Sequence, residues 1–160
     1  MATAENVARA RTEVATLVDD FLMREIEISC MCDAVRVRIT DEPVEQFYCH
    51  CDDCQAASGG AYIGVALFPA SAGKVTHGEL HTFTYRTLPR QRCAKCGTHV
   101  LAVVPGIDQV GVKANLLPRG MFQPRFHIQC QYAVLPVRDN LPHYRGFPPH
   151  FGGTDEKVDW

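Results

Sequence analysis

The chain of 160 residues has the length of one domain, so a single compact core is expected. Its formal net charge of −2 does not provide the positive charge that general nucleic-acid binders use against phosphates. It also has no run of about 18 apolar residues, the length that a membrane span requires. We therefore expect neither a nucleic acid nor a membrane as a partner.

Residues 1–24 are predicted to form a helical extension with one apolar face. Acidic residues interrupt its apolar stretch, which is not typical of a secretory signal, so a cytoplasmic location is expected. The helix is predicted to dock on the rest of the domain, and a homodimer through this helix is the alternative. Its apolar residues recur at helical spacing, at Val14, Leu17, Val18, Phe21 and Leu22.

Residues 25–134 are predicted to form a zinc-binding β domain. Val35, Val37 and Ile39 alternate with arginines, which indicates a half-buried strand. Many short strands separated by Gly and Pro turns indicate a mainly β fold. Residues 135–160 are predicted to be a proline-rich extended tail. The other predicted strands span 61–68, 81–85, 98–104, 110–114 and 125–134.

Eight cysteines are the unusual feature of the composition. In a reducing compartment, clustered cysteines more often bind a metal ion than form disulfides. Cys130 stands alone. The other seven fall in three groups, Cys30-Met31-Cys32, Cys49-His50-Cys51-Asp52-Asp53-Cys54 and Cys93-Ala94-Lys95-Cys96.

The first and last groups each provide two thiolates and cannot complete a tetrahedral site alone. Joining them gives the four ligands that a structural zinc ion takes. The spacing therefore predicts a structural zinc site that clips the first strand to a later hairpin. Its ligands, called here the four-cysteine group, are Cys30, Cys32, Cys93 and Cys96.

The middle group, Cys49, Cys51 and Cys54, is called here the cysteine trio. Three ligands leave a zinc ion one open position, as in catalytic sites. Three thiolates make the ion a weak Lewis acid but suit it to a soft fourth ligand, such as a substrate thiol. A thiol bound to zinc loses its proton near neutral pH and becomes a nucleophile. The trio therefore predicts a catalytic zinc site with thiol chemistry.

The spacing leaves three alternatives open. His50 or Cys130 could complete the trio as a fourth ligand and close the site. Cys30 and Cys32 could join the middle group instead of the last one. Iron could replace zinc, although tetrahedral sulfur sites of this kind usually hold zinc.

At these residues the chain resembles the glutathione-dependent formaldehyde-activating enzyme family, which includes centromere protein V. The resemblance covers about residues 26–149. It departs from the family pattern at Gln55-Ala56, where basic residues are frequent. The matching motifs are Ser29-Cys30-Met31-Cys32, the middle group with Ser58-Gly59, Cys93-Ala94-Lys95-Cys96-Gly97-Thr98, Asp139-Asn140-Leu141-Pro142 and Phe147-Pro148.

The resemblance implies a β-tent fold with two zinc ions per chain. It implies a structural ion on the four-cysteine group and a catalytic ion on the trio. The implied reaction adds glutathione to formaldehyde and gives S-hydroxymethylglutathione, a carbon–sulfur lyase step. The small thiol and the aldehyde are then the substrates.

Three functional hypotheses follow. The first is a zinc-dependent carbon–sulfur lyase-type enzyme, the second a non-catalytic zinc-scaffolded binding module, and the third a redox switch built on the trio. Most candidate substrate-binding side chains are expected to be ordinary surface charges. The cations are Lys74, Arg86, Arg90, Arg92, Lys95 and Lys113, and the proton-transfer candidates are His77, His81 and His99.

Overall fold

The computed structural model describes residues 25–160, so the helix predicted over 1–24 lies outside the described residues. Within this range the fold is mainly β, as predicted, with a single α-helix. The strands are β1 (Ile26–Ser29), β2 (Arg36–Ile39), β3 (Glu45–Cys49), β4 (Ile63–Pro69), β5 (Gly73–His77), β6 (Leu80–Thr84), β7 (Pro89–Cys93), β8 (His99–Val104), β9 (Gln109–Lys113) and β10 (His127–Ile128), and the helix is α1 (Asp52–Ser58).

The strands form a seven-stranded and a three-stranded sheet. The larger sheet has the order β10-β3-β4-β9-β8-β7-β6, and the smaller one has the order β1-β2-β5. All neighbouring strands are antiparallel except β10, which runs parallel to β3. This order places the end of β3, where the cysteine trio begins, between β4 and β10.

The alternation of apolar residues with arginines that predicted β2 matches the burial of its side chains. Val37 and Ile39 are fully buried, whereas Arg36 and Arg38 are exposed. Arg38 forms an ion pair with Glu25, with Nε 2.9 Å from Oε1. Because side chains in a strand point to opposite faces with a period of two, one face of β2 contributes to the core and the other faces solvent.

Two apolar clusters fill the interior. The first joins the smaller sheet to the centre of the larger one. The second lies below the cysteine trio, where the rings of Phe47 and Phe126 stack at 5.7 Å. Buried members of the first cluster include Ile28, Val35, Val37, Ile39, Ala66, Phe68, Val100, Leu101, Val110 and Val112, and those of the second are Phe47, Cys49, Cys54, Leu67, Phe126 and Ile128.

The strand predicted over 125–134 is much shorter than expected, because only His127 and Ile128 are in β10. Gln129 adopts a left-handed conformation with φ of 58°, which ends the strand. A 3₁₀ turn over Cys130–Tyr132 follows. A left-handed residue reverses the direction of an extended chain, and no feature of the residue type Gln predicts it.

The last part of the chain lies beside β10. The His127 amide donates to the Pro142 carbonyl at 2.8 Å, and the Tyr144 amide donates to the His127 carbonyl at 3.0 Å. Tyr144 also forms a bridge with Lys157. These bonds bring residues 139–160 next to the loop that carries the trio. The division into domains at residues 24 and 134 stays a prediction.

Gly78 connects β5 to β6 where the backbone has no room for a side chain. Its φ is +84°, and a methyl group there would stand 1.9 Å from the Ala34 carbonyl oxygen. Gly106 has a similar φ of +81° but open space around it. We expect Gly78→Ala to lower the free energy of unfolding by more than about 3 kcal/mol, and Gly106→Ala by only about 1–2 kcal/mol. Equal losses in chemical denaturation would contradict this account.

Candidate metal centres and the adjoining cavity

The four-cysteine group comes together as a compact cluster of sulfurs. Cys30 and Cys32 follow β1, whereas Cys93 and Cys96 lie at the end of β7 and in the turn after it. All four Sγ atoms lie within 4.8 Å of one another. Neighbouring sulfurs are 3.6 Å apart for Cys30 and Cys32 and 3.9 Å apart for Cys32 and Cys93. Four sulfurs at this spacing could hold one tetrahedral metal ion.

Backbone and side-chain donors stabilise negative charge on these sulfurs. The Val35 amide donates to Cys30 Sγ at 3.3 Å, and the Cys96 amide donates to Cys93 Sγ at 3.5 Å. Hydrogen bonding to Thr98 lowers the pKa of the Cys96 thiol to about 6. Because thiolates rather than thiols bind metals, this environment suits an ion.

The cysteine trio is built at the junction of β3 and α1. Cys49 is the last residue of β3, Cys51 caps the N-terminus of α1, and Cys54 lies in its first turn. The Cys54 amide donates to Cys51 Sγ at 3.4 Å. The three Sγ atoms lie within 4.8 Å of one another. One strand end and one helix start therefore bring three sulfurs to a common point.

The environment of the trio favours negative charge on Cys51. Hydrogen bonds from the thiols of Cys49 and Cys54 lower its pKa to about 3, and the Arg90 charge acts in the same direction. Cys49 and Cys54 are buried, and Cys51 is partly exposed. A sulfur-only donor set of this kind is consistent with zinc.

Neither residue that was considered as a fourth ligand joins the trio. The His50 ring points the other way, with Nε2 2.9 Å from His127 Nδ1. Cys130 is buried elsewhere, outside the sulfur cluster. Cys30 and Cys32 lie with the last cysteine pair and not with the trio. Within residues 25–160, the trio therefore offers three protein ligands.

A cavity of about 730 Å³ adjoins the trio. All three cysteines line it, and so does Asp53 at the start of α1. The other walls are mostly apolar and come from β3, β4, β8, β9, β10 and the tail. They include Phe47, Ile63, Val65, Leu67, Val104, Val112, Ile128, Phe147 and Phe151. The size and apolar lining are typical of small-molecule sites.

Two buried cations face this cavity. Arg90 is 1% exposed; its Nη1 donates to the Leu88 carbonyl at 3.0 Å and lies 3.6 Å from Asp53 Oδ2, while its Nη2 has no hydrogen-bond partner. Lys113 is 8% exposed, and its side chain has no hydrogen bond or ion pair within the described residues. Burial lowers the pKa of Lys113. A buried cation without an ion-pair partner is costly, so Lys113 indicates a place for an anion, and Arg90, whose charge Asp53 only partly offsets, adds positive charge there.

The other candidate side chains have different surroundings. Arg86 pairs with Asp53 at the cavity rim, with Nε 3.1 Å from Oδ1. Arg92 donates to the Ala57 carbonyl at 2.8 Å. His99 lines the cavity, and burial together with the Lys113 charge lowers its pKa to about 4. The remaining candidates are exposed at the surface, at Lys74, Lys95, His77 and His81.

The fold and these sites define a mainly β protein with two cysteine clusters that could each hold a metal ion. A family model described as glutathione-dependent formaldehyde-activating enzyme matches residues 25–132. The chain therefore belongs to this family, as its motifs predicted.

Comparison with solved structures supports the fold only. A solved structure of a Rhodobacter sphaeroides protein is 21% identical, with a TM-score of 0.50 over 62% of this chain and 93% of that one. No curated protein matches the sequence. Among residues 25–160, no helix has the length and apolar character that crossing a membrane would take.

Proposed function

We propose that this protein is a zinc-dependent enzyme of the carbon–sulfur lyase type that adds a thiol to a small aldehyde. Glutathione or a similar thiol is the first substrate, and formaldehyde or a similar aldehyde is the second. The observation that carries the proposal is the trio of cysteines, which has three sulfurs, no fourth protein ligand in residues 25–160, and an apolar cavity beside it.

The two cysteine clusters have different roles in this proposal. The four-cysteine group holds a structural zinc ion that stabilises a β-tent fold. The trio holds the second ion. Zinc bound there would lower the pKa of a substrate thiol. The three trio cysteines are thus ligands at the reacting centre, and the family supports this function.

The chain's own residues bind and orient the substrates. The apolar walls exclude water from the reacting groups, while Arg90 and Lys113 offer positive charge to a carboxylate of the thiol substrate. The thiolate sulfur then attacks the carbonyl carbon. A sulfur–carbon bond forms, the carbon–oxygen π bond breaks, and the oxygen takes up one proton, which balances the proton that the thiol released, to give the S-hydroxymethyl product.

None of the eight cysteines, which all lie in the described part of the chain, forms a disulfide. Free thiols persist in reducing compartments, so we propose a cytoplasmic location. A homodimer through residues 1–24 stays a prediction.

A crystal structure of the zinc-loaded protein with glutathione tests the proposed function. We expect the glutathione sulfur about 2.3 Å from the ion on the trio. Formaldehyde should then be consumed together with glutathione at an equal rate. A trio whose ion binds a fourth protein ligand and no glutathione would instead support the non-catalytic binding module.

Lys113→Met tests whether the buried cations recognise an anionic thiol. Losing a charged hydrogen bond should weaken glutathione binding by about 10- to 100-fold. Binding of 2-mercaptoethanol, which has no carboxylate, should change little. Calorimetric titration of both thiols provides the comparison, and Lys95→Met, at an exposed site, is the matched control. Equal weakening for both thiols would contradict charge recognition.

A further inference from the structure

A chain of polar side chains lies behind the trio, outside the cavity. His50 Nε2 is 2.9 Å from His127 Nδ1, and His127 Nε2 is 2.9 Å from Asp139 Oδ2. His143 completes the chain, with Nε2 3.3 Å from Asp139 Oδ1. The ring of Trp160 covers the cluster at 4.7 Å from the His143 ring. The proposed reaction uses none of these side chains.

The Asp139 carboxylate faces two imidazole nitrogens at once. One ring nitrogen of His127, one of His143 and a carboxylate oxygen of Asp139 lie within 4.8 Å of one another. His143 Nε2 is buried and has no hydrogen-bond partner, because its contact with Asp139 lacks hydrogen-bond geometry. The Leu141 amide donates to Asp139 Oδ1 at 2.9 Å and holds the carboxylate in place. Three ligand atoms thus converge on one point.

From this geometry we infer that His127, Asp139 and His143 form a third metal site, separate from the two cysteine clusters. Ligand atoms of a tetrahedral ion with bonds of about 2.0–2.1 Å stand about 3.3 Å apart. His127 Nε2 is 2.9 Å from Asp139 Oδ2 and His143 Nε2 is 3.3 Å from Oδ1, so each imidazole is close to that spacing from one carboxylate oxygen, and all three ligand atoms lie within 4.8 Å. The ligands therefore need only small movements to bind an ion.

His50 provides the support that a metal-binding histidine usually has. Such a histidine hydrogen-bonds through its other ring nitrogen, which fixes the tautomer and the ring orientation. When His127 binds an ion through Nε2, its Nδ1–H donates to His50 Nε2 at 2.9 Å. Both rings are fully buried, so the donor nitrogen of His127 is held in one orientation.

The donor set determines which ion fits. Two imidazoles and one carboxylate suit divalent first-row transition ions such as zinc, cobalt or copper, whereas magnesium and calcium prefer oxygen ligands alone. Asp139 is one-third exposed and gives the ion a path of entry from solvent. A bound ion would fasten the tail to β10, next to the loop of the trio.

The test adds Co²⁺ to the zinc-loaded protein and follows the fluorescence of Trp160, the only tryptophan. Paramagnetic Co²⁺ beside this ring should quench it, with saturation at one ion per chain. No sulfur-to-cobalt charge-transfer absorption should appear, which separates this site from exchange into the cysteine clusters. Because the readout is independent of thiol binding, failure of the proposed function would leave this result unchanged.

Two variants remove one ligand each, His143→Gln and Asp139→Asn. Each should weaken Co²⁺ binding by at least about tenfold in folded protein. His81→Gln, at an exposed histidine outside the cluster, is the matched control and should bind as the unaltered protein does. Absence of saturable quenching in the unaltered protein, or unchanged quenching in either folded variant, would show a purely hydrogen-bonded network and overturn the inference.

Discussion

Cys93→Ala is expected to prevent stable folding. The substitution removes one ligand from the four-cysteine group, which links the end of β1 to the end of β7. A structural zinc ion contributes an apparent binding free energy of about 10–16 kcal/mol. That is as large as the whole net stability of a domain, about 5–15 kcal/mol. Loss of much of this binding free energy should leave the variant unfolded or without its structural ion.

Cys130→Ala is the matched control for this prediction. Cys130 is as buried as Cys93, at 4% against 3% exposed, but it lies outside both cysteine clusters. Its replacement should cost about 1 kcal/mol. Circular dichroism, thermal melting and zinc content per chain measure the difference. A Cys93→Ala protein that melts like Cys130→Ala and retains two zinc ions would contradict the structural role.

Local spacing was enough to predict the cysteine trio and the main strands, whereas it left open which group Cys30 and Cys32 join. Cys49, Cys51 and Cys54 fall within six residues, so one strand end and one helical turn must bring them close together. The alternation in β2 similarly decides which side chains are buried, because a strand has a fixed period of two. Such features depend on neighbours in the sequence and need no knowledge of the whole fold.

The cluster of His50, His127, Asp139 and His143 could not be predicted in this way. His50 and His127 are 77 residues apart, and their contact depends on the parallel pairing of β10 with β3. The left-handed Gln129 ends β10 and lets the tail return to His127. No periodic pattern marks any of these residues. The one signal in the sequence was indirect, since an extended loop turns the His50 side chain away from Cys49 and Cys51.

Arg90 and Lys113 were among the candidate cations, but their burial was not predicted, for a related reason. A lysine or arginine is rarely buried, so a surface position was the better expectation for each of them. Arg90 and Lys113 depart from this rule because β7 and β9 lie near β8 in the larger sheet and turn both side chains toward the trio. Negative charge on Cys51 partly offsets the burial of Arg90. The trio thus offsets part of the cost of one of these two buried cations.

Cys51→Ser is expected to abolish thiol binding while the fold persists. Serine keeps an acceptor at the N-cap of α1, so the helix retains its first hydrogen bond. A hydroxyl is a much poorer zinc ligand than a thiolate, because zinc sites use deprotonated sulfur. The ion of the trio should therefore be lost and glutathione affinity should fall by at least about 100-fold. The melting temperature should remain far above that of Cys93→Ala.

Cobalt-substituted protein makes the effect visible. Addition of glutathione to the unaltered protein should increase sulfur-to-cobalt charge-transfer absorption, because a fourth thiolate joins the three of the trio. The same addition to Cys51→Ser should leave the absorption constant, and Cys130→Ser should respond as the unaltered protein does. If folded Cys51→Ser binds glutathione with unaltered affinity, the thiol binds away from the trio. That result would contradict the proposal that a sulfur bound to the metal of the trio attacks the aldehyde.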